Sequence, residues 1–154
     1  MRKKTIALFL SFIVFFISTC NYSLPAYAVT PTTDEIIYYT FIQDLTDYSA
    51  STQSTITTKT SSKTTYAYDS SGNALWYVKV IATFEYDGTT SYCKAASSSA
   101  GSCSSYWKIS NESCTRSGNS ATATAVAKKY ISGTVVQTLT KSVTISCSKN
   151  GTIT

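Results

Sequence analysis

The chain has no histidine, and only two prolines, six glycines and one methionine in 154 residues. Without histidine, Ser-His-Asp and Cys-His catalysis are impossible, and a zinc site would need four sulfurs. No C-x-x-C spacing exists to supply them. There is no phosphate-cradling glycine loop and no metal-ligand spacing, so neither cofactor nor metal is expected. The scarcity of proline argues against a glycosylated stalk. Charged residues are also sparse, at 14%.

The formal charge of +5 comes from 13 basic and 8 acidic residues. Three of the basic residues, Arg2, Lys3 and Lys4, open the chain. An apolar run follows from Ile6 to Ile17, broken by Ser11, and then Ala26-Tyr27-Ala28, a small-residue cleavage site. This is the pattern of an export signal, with cleavage expected after Ala28. The apolar run is shorter than the roughly 20 residues a spanning helix needs, so no stable membrane span is expected after signal removal. Ile17-Ser18-Thr19-Cys20 resembles a lipoprotein cleavage box, but Thr19 departs from the small residue usual there. Loss of Arg2, Lys3 and Lys4 lowers the formal charge from +5 to +2. No basic stripe survives, and no nucleic-acid partner is expected.

The sequence therefore divides into a signal (1–28), an N-terminal segment with a Ser/Thr-rich linker or edge strand (29–64) and a β-domain (65–154). Residues 34–42 read as a short helix or an extended strand, with β-branched and aromatic content tilting to strand. From Trp76 to Tyr86 apolar residues alternate with Tyr77, Lys79, Ile81, Thr83 and Glu85, the signature of a half-buried strand. Asp87-Gly88 reads as a two-residue hairpin turn, and residues 95–105, rich in Ala, Ser and Gly, as a loop. Further strands are expected from Trp107 to a turn at 116–119, over about 121–131, and over about 134–147 after a tight Ser132-Gly133 turn. The fold class is all-β: an antiparallel meander forming a small disulfide-stabilised sandwich or partly open barrel.

Beyond the signal, four cysteines remain: Cys93, Cys103, Cys114 and Cys147. An even number in an exported chain implies disulfides. Four cysteines allow three connectivities. If Asp87-Gly88 is the turn, Cys93 lies opposite Ala82 and faces the core, as does Cys147 beside Ile145 and Val143. A Cys93–Cys147 bridge would close about 55 residues and contribute roughly 3–4 kcal/mol. It leaves Cys103 to pair with Cys114, which is expected on the face opposite Trp107 and Ile109, so the loop must fold back or the strand must bend near Asn111. The competing scheme is Cys93–Cys103 with Cys114–Cys147, and free thiols are the third. Opposing Ile131 to Thr134 sets Lys128 and Lys141 on one face with Val126 unless a β-bulge re-aims one of them, and Lys128 across from Trp107, as a rim lysine or a cation–π pair.

Asp69, Glu85, Asp87 and Glu112 are the carboxylates of the folded region. Asp69 and Asp87 read as turn residues and Glu85 as an outward strand residue, so an enzyme is not expected and no catalytic residue is assigned. Tyr77 and Tyr106, on outward parities, are the candidate binding surface.

The segments 76–88, 107–110, 117–119 and 143–147, with Cys93, resemble a loose group of short exported β-proteins of Gram-positive bacteria. These carry a T-F-x-Y-[DN]-G hairpin and a cysteine at each of two matching places. The resemblance covers roughly residues 65–154. It implies export and supports pairing Cys93 with Cys147; Cys103 and Cys114 look like additions. It brings no activity and no catalytic residue. The expectation is a secreted or cell-wall-associated binding module, its partner a cell-wall glycan or surface protein. The alternatives are a secreted antibacterial or toxin-like effector, and a small hydrolase using two carboxylates.

Overall fold

The alternating stretch Ala74–Tyr86 is the spine of the fold. A computed structural model describes residues 35–48 and 56–154; residues 1–34, with Cys20, Ala28 and the expected signal, and residues 49–55 lie outside the described residues. Seven strands follow one another: β1 (Ile37–Tyr48), β2 (Thr57–Tyr68), β3 (Ala74–Tyr86), β4 (Ser91–Ser102), β5 (Trp107–Ser117), β6 (Ser120–Ile131) and β7 (Thr134–Ser146). They form two antiparallel sheets, β1-β2-β3-β4 and β5-β6-β7. Every strand pairs with its neighbour in sequence, and the chain changes sheet once, between β4 and β5. The sheets face each other without closing into a barrel. Among the described residues no helix is long and apolar enough to cross a membrane.

Size complementarity builds the core. Trp76, Val78, Val80, Ala82 and Phe84 point inward from β3, and Ala121, Ala123, Ala125 and Ala127 from β6, all buried. Large side chains on one sheet thus meet methyl groups on the other, with Val143 and Ile145 of β7 completing the layer. Each fully buried large side chain contributes about 1.5–3 kcal/mol. Trp76 and Trp107 join the sheets, their ring centroids 6.3 Å apart.

Several expectations are corrected. The division at 64/65 falls inside β2, and residues 57–64 form a strand interior to its sheet, between β1 and β3. Hydroxyl pairs make this polar strand compatible with burial: Thr40 and Thr65 Oγ1 are 2.8 Å apart, and Thr60 and Thr83 Oγ1 2.9 Å apart. The expected loop at 95–105 is strand as far as Ser102. Its small residues serve packing: a Cβ on Gly101 would stand 2.6 Å from the Tyr77 ring. The hairpin after β3 is also longer than expected. Tyr86 pairs with Ser91, leaving residues 87–90 as a four-residue loop in which the Asp87 carboxylate accepts from the Thr89 and Thr90 N–H groups at 2.8 and 2.7 Å. By contrast Ser132-Gly133 is the tight turn read from the sequence, with φ of 50° and 80°.

Bulges account for most of the remaining differences, because one extra residue exchanges the two faces of a strand. The four-residue hairpin loop places Cys93 opposite Phe84 instead of Ala82, on the same inward face, and the shift between Thr83 and Phe84 comes only beyond that pair. Cys114 pairs with the buried Ala123, and a shift between Ile109 and Asn111 puts it on the same inward face as Trp107 and Ile109. A shift between Lys129 and Tyr130 separates Lys128 from Lys141: Lys128 pairs with Thr138, while Lys141 joins the inward row opposite Ala125. On the other side of β6, the ladder beyond the Ile109/Asn111 shift sets Trp107 opposite Lys129, not Lys128. The lysines over rings are Lys141 above Tyr38, at 4.2 Å, and Lys108 above Tyr130, at 5.2 Å.

The cysteines also differ from expectation. Cys93, Cys114 and Cys147 are free thiols, so neither the Cys93–Cys147/Cys103–Cys114 scheme nor its rival is formed, and no disulfide joins two described cysteines. Cys93 and Cys147 do both face the core. They flank the turn after β5, Cys93 donating its N–H to Gly118 O at 2.9 Å and Cys147 to Asn119 O at 3.0 Å. Their sulfurs turn to local carbonyls instead, those of Ala95 and Ser148, each at 3.3 Å. Packing and backbone hydrogen bonds hold this end of the sandwich.

Candidate binding cleft

One end of the sandwich gathers the β2–β3 turn, the β4–β5 loop and the inward rows of β6 and β7 around a cleft of about 490 Å³. The turn begins at Asp69. Its Oδ1 accepts the N–H groups of Ser71 and Asn73, both at 2.9 Å, and Oδ2 accepts Asn73 Nδ2 at 3.0 Å. Gly72, at φ 81°, permits the reversal. Burial alone would raise the Asp69 pKa, but these hydrogen bonds outweigh it and hold the carboxyl below its ordinary value. Asp69 is thus an anion fixed in place by its own turn.

The β4–β5 loop is equally determined. Ser102 Oγ lies 2.6 Å from both the Ser104 and Trp107 carbonyl oxygens. Cys103 donates its N–H to Leu75 O at 2.9 Å, and Tyr106 O accepts the Tyr130 N–H at 2.7 Å. The backbone of Tyr106 is therefore pinned while its side chain remains 62% exposed. The ring stands at the cleft on a rigid support. Trp107, buried below it, packs against Trp76.

The far wall comes from the sheet of β5, β6 and β7. Lys129 continues the inward row of Ala121–Ala127 beyond the apolar core, and its ladder partner Gln137 does the same on β7. Glu35 and Ile36, just before β1, close the near side. The cleft thus presents a phenol ring, two carboxylates, an ammonium, amides and hydroxyls. Sequence reasoning singled out Tyr106 and, as a turn residue, Asp69. It missed Glu35, Asn73, Lys129 and Gln137, which meet only through folding.

Tyr77 lies elsewhere. It pairs with Tyr66 on the outer face of the four-stranded sheet, their ring centroids 5.6 Å apart. Tyr39 and Phe41 of β1 extend that row, edge-on to Tyr68 and Tyr66 at 5.5 and 6.3 Å. The two tyrosines expected to form one surface are thus on separate surfaces.

The other carboxylates each have a separate engagement. Glu85 pairs with Lys94 Nζ at 2.5 Å and accepts from Tyr92 Oη; its pKa is lowered by the Lys94 and Tyr92 hydrogen bonds. Asp87 caps its own hairpin loop. Glu112 ties the sheets together, accepting Ser98 Oγ–H at 2.7 Å and Ala100 N–H at 3.0 Å. Among the described residues no group of three His, Cys, Asp or Glu side chains could hold a metal ion. Against family models, curated proteins and solved structures, the chain finds no match.

Proposed function

We propose that this chain is an exported β-sandwich acting as a binding module, and that its end cleft takes a polar, ring-shaped ligand of the cell-wall glycan class. The observation that carries this reading is Tyr106: an exposed ring on a loop with a hydrogen-bonded backbone, beside a cleft of about 490 Å³. A sugar ring offers an apolar C–H face to an aromatic side chain and a rim of hydroxyls to amides and carboxylates. Tyr106 supplies the first contact, and Asn73, Gln137 and the acidic groups Glu35 and Asp69 supply the second. Because the tyrosine backbone is already ordered, little conformational entropy is lost on binding.

The test is titration with solubilised cell-wall oligosaccharides, followed by heteronuclear NMR. Shifts should concentrate at 69–73 and 103–107. Tyr106→Ala should weaken binding about tenfold, the equivalent of one lost aromatic contact, and Tyr77→Ala should not. Glycan-induced shifts that map to the Tyr77 face, or binding indifferent to Tyr106→Ala, would refute the reading.

A further inference from the structure

We infer that β1 is a self-association edge, through which two copies of this chain join their four-stranded sheets into one. Among the described residues β1 is a terminal strand of its sheet, and it carries large exposed apolar side chains on both faces: Phe41 is 51% exposed and Ile42 46%. Edge strands are ordinarily protected by lysine, proline or a bulge. From Ile37 to Gln43 the strand has none of these and no charge. The ladder shift between Asp44 and Thr46 then ends the regular edge. What remains is a regular, neutral edge about 24 Å long.

The occupant follows from its symmetry. An antiparallel pairing about Thr40 sets Tyr39 against Phe41 of the other copy on one face, and Tyr38 against Ile42 on the other. All seven facing positions are neutral. Asp44 falls opposite Ile36, so like charges do not meet across the strands. Even-numbered residues face even-numbered ones, which keeps both second sheets on the same side. They have room, because β7 packs over β2 and β3, while β1 projects beyond it and is touched from that side by Lys141 at the Tyr38 ring. A two-fold contact of this kind is closed and self-limiting. Of the other terminal strands, β4 and β5 lie against each other, and β7 is a poorer match because a ladder shift between its Val135 and Gln137 interrupts the neutral run Thr134–Thr140.

The test is sedimentation velocity on protein produced by export from the full-length precursor. The unmodified chain should be dimeric at about 100 µM, above a dissociation constant in the micromolar range. Phe41→Lys and Phe41→Glu should each weaken the dimer at least about tenfold, because the two introduced charges lie diagonally across the interface. Mixing these two variants should restore a heterodimer. Thr40→Cys, which adds no charge, should oxidise to a covalent dimer, and Val136→Lys on β7 should leave the mass unchanged. A chain that stays monomeric at 1 mM (about tenfold above the working concentration) overturns the proposal. So does a dimer that Val136→Lys disrupts and Phe41→Lys does not.

Discussion

Replacing Gly101 by alanine should change the sign of its effect according to what stands at position 77. Glycine in a strand interior is weaker than alanine by about 0.5–1 kcal/mol, so the methyl group should stabilise β4 if it fits. It does not fit: the added Cβ would lie 2.6 Å from Tyr77 Cε1 and 2.9 Å from both Cζ and Oη. The ring is hemmed in on its other side by Tyr66, at 5.6 Å between centroids. Displacing it should cost about 1–3 kcal/mol, as overpacking does. Gly101→Ala should therefore destabilise the native protein by about 0.5–2 kcal/mol. In a Tyr77→Ala background the same change should stabilise by about 0.5–1 kcal/mol. The coupling in this double-mutant cycle is then about 1–3 kcal/mol. Urea unfolding followed by tryptophan fluorescence measures it, since Trp76 and Trp107 are both buried. If Gly101→Ala has one sign and size in both backgrounds, the small residues of β4 are not there to receive the β3 rings, and that explanation of the strand fails.

Asp87 is held below its ordinary value of 3.8 by the Thr90 and Thr89 backbone N–H groups. A depressed carboxyl stabilises the fold above its unfolded value and loses that contribution as pH falls through the folded one, so stability should drop below about pH 4, with a shallower acid limb for Asp87→Asn in chemical denaturation at stepped pH. Burial raises the Cys93 and Cys147 thiols above their ordinary 9.0; alkylation at pH 8 should be at least about 100-fold slower in the native than in the unfolded protein, and stability should decline as pH rises past 9. Equal alkylation rates in both states would contradict the packing of these thiols. Glu112→Ala should cost about 0.5–2 kcal/mol and lower hydrogen-exchange protection at Ala100, whose N–H loses its partner; unchanged protection there would show that the seam does not depend on this carboxylate.

The strands that the sequence made legible are those whose side chains differ most between faces. β3 alternates large apolar residues with polar ones, and Ser132-Gly133 has turn chemistry with little ambiguity. β2 was obscure because Ser61, Ser62 and Thr65 are buried while being polar, a choice explained only by neighbouring strands. β4 was misread because alanine, serine and glycine signal a loop in isolation and a fitted counter-surface in context. Parity failed at Cys114, since a single-residue bulge leaves no mark in composition; at Lys128 and Lys141 the clash of two lysines with an apolar face pointed to a bulge but not to its place. Tyr106 was found by its position one residue before an inward tryptophan. Lys129 and Gln137 were not, because their place in the cleft depends on the bulge at Lys129 and on where the apolar row ends.

The order of the strands has a consequence for biogenesis. As the chain emerges from a ribosome or a translocation pore, β1 to β4 can be complete by residue 102, before any of β6 and β7 is present. For that interval the Trp76–Phe84 row is a finished greasy surface without its lid. The last third of the polypeptide thus serves as a late-arriving cover, and interruption of synthesis after residue 102 should yield a species that chaperones retain and that aggregates when released.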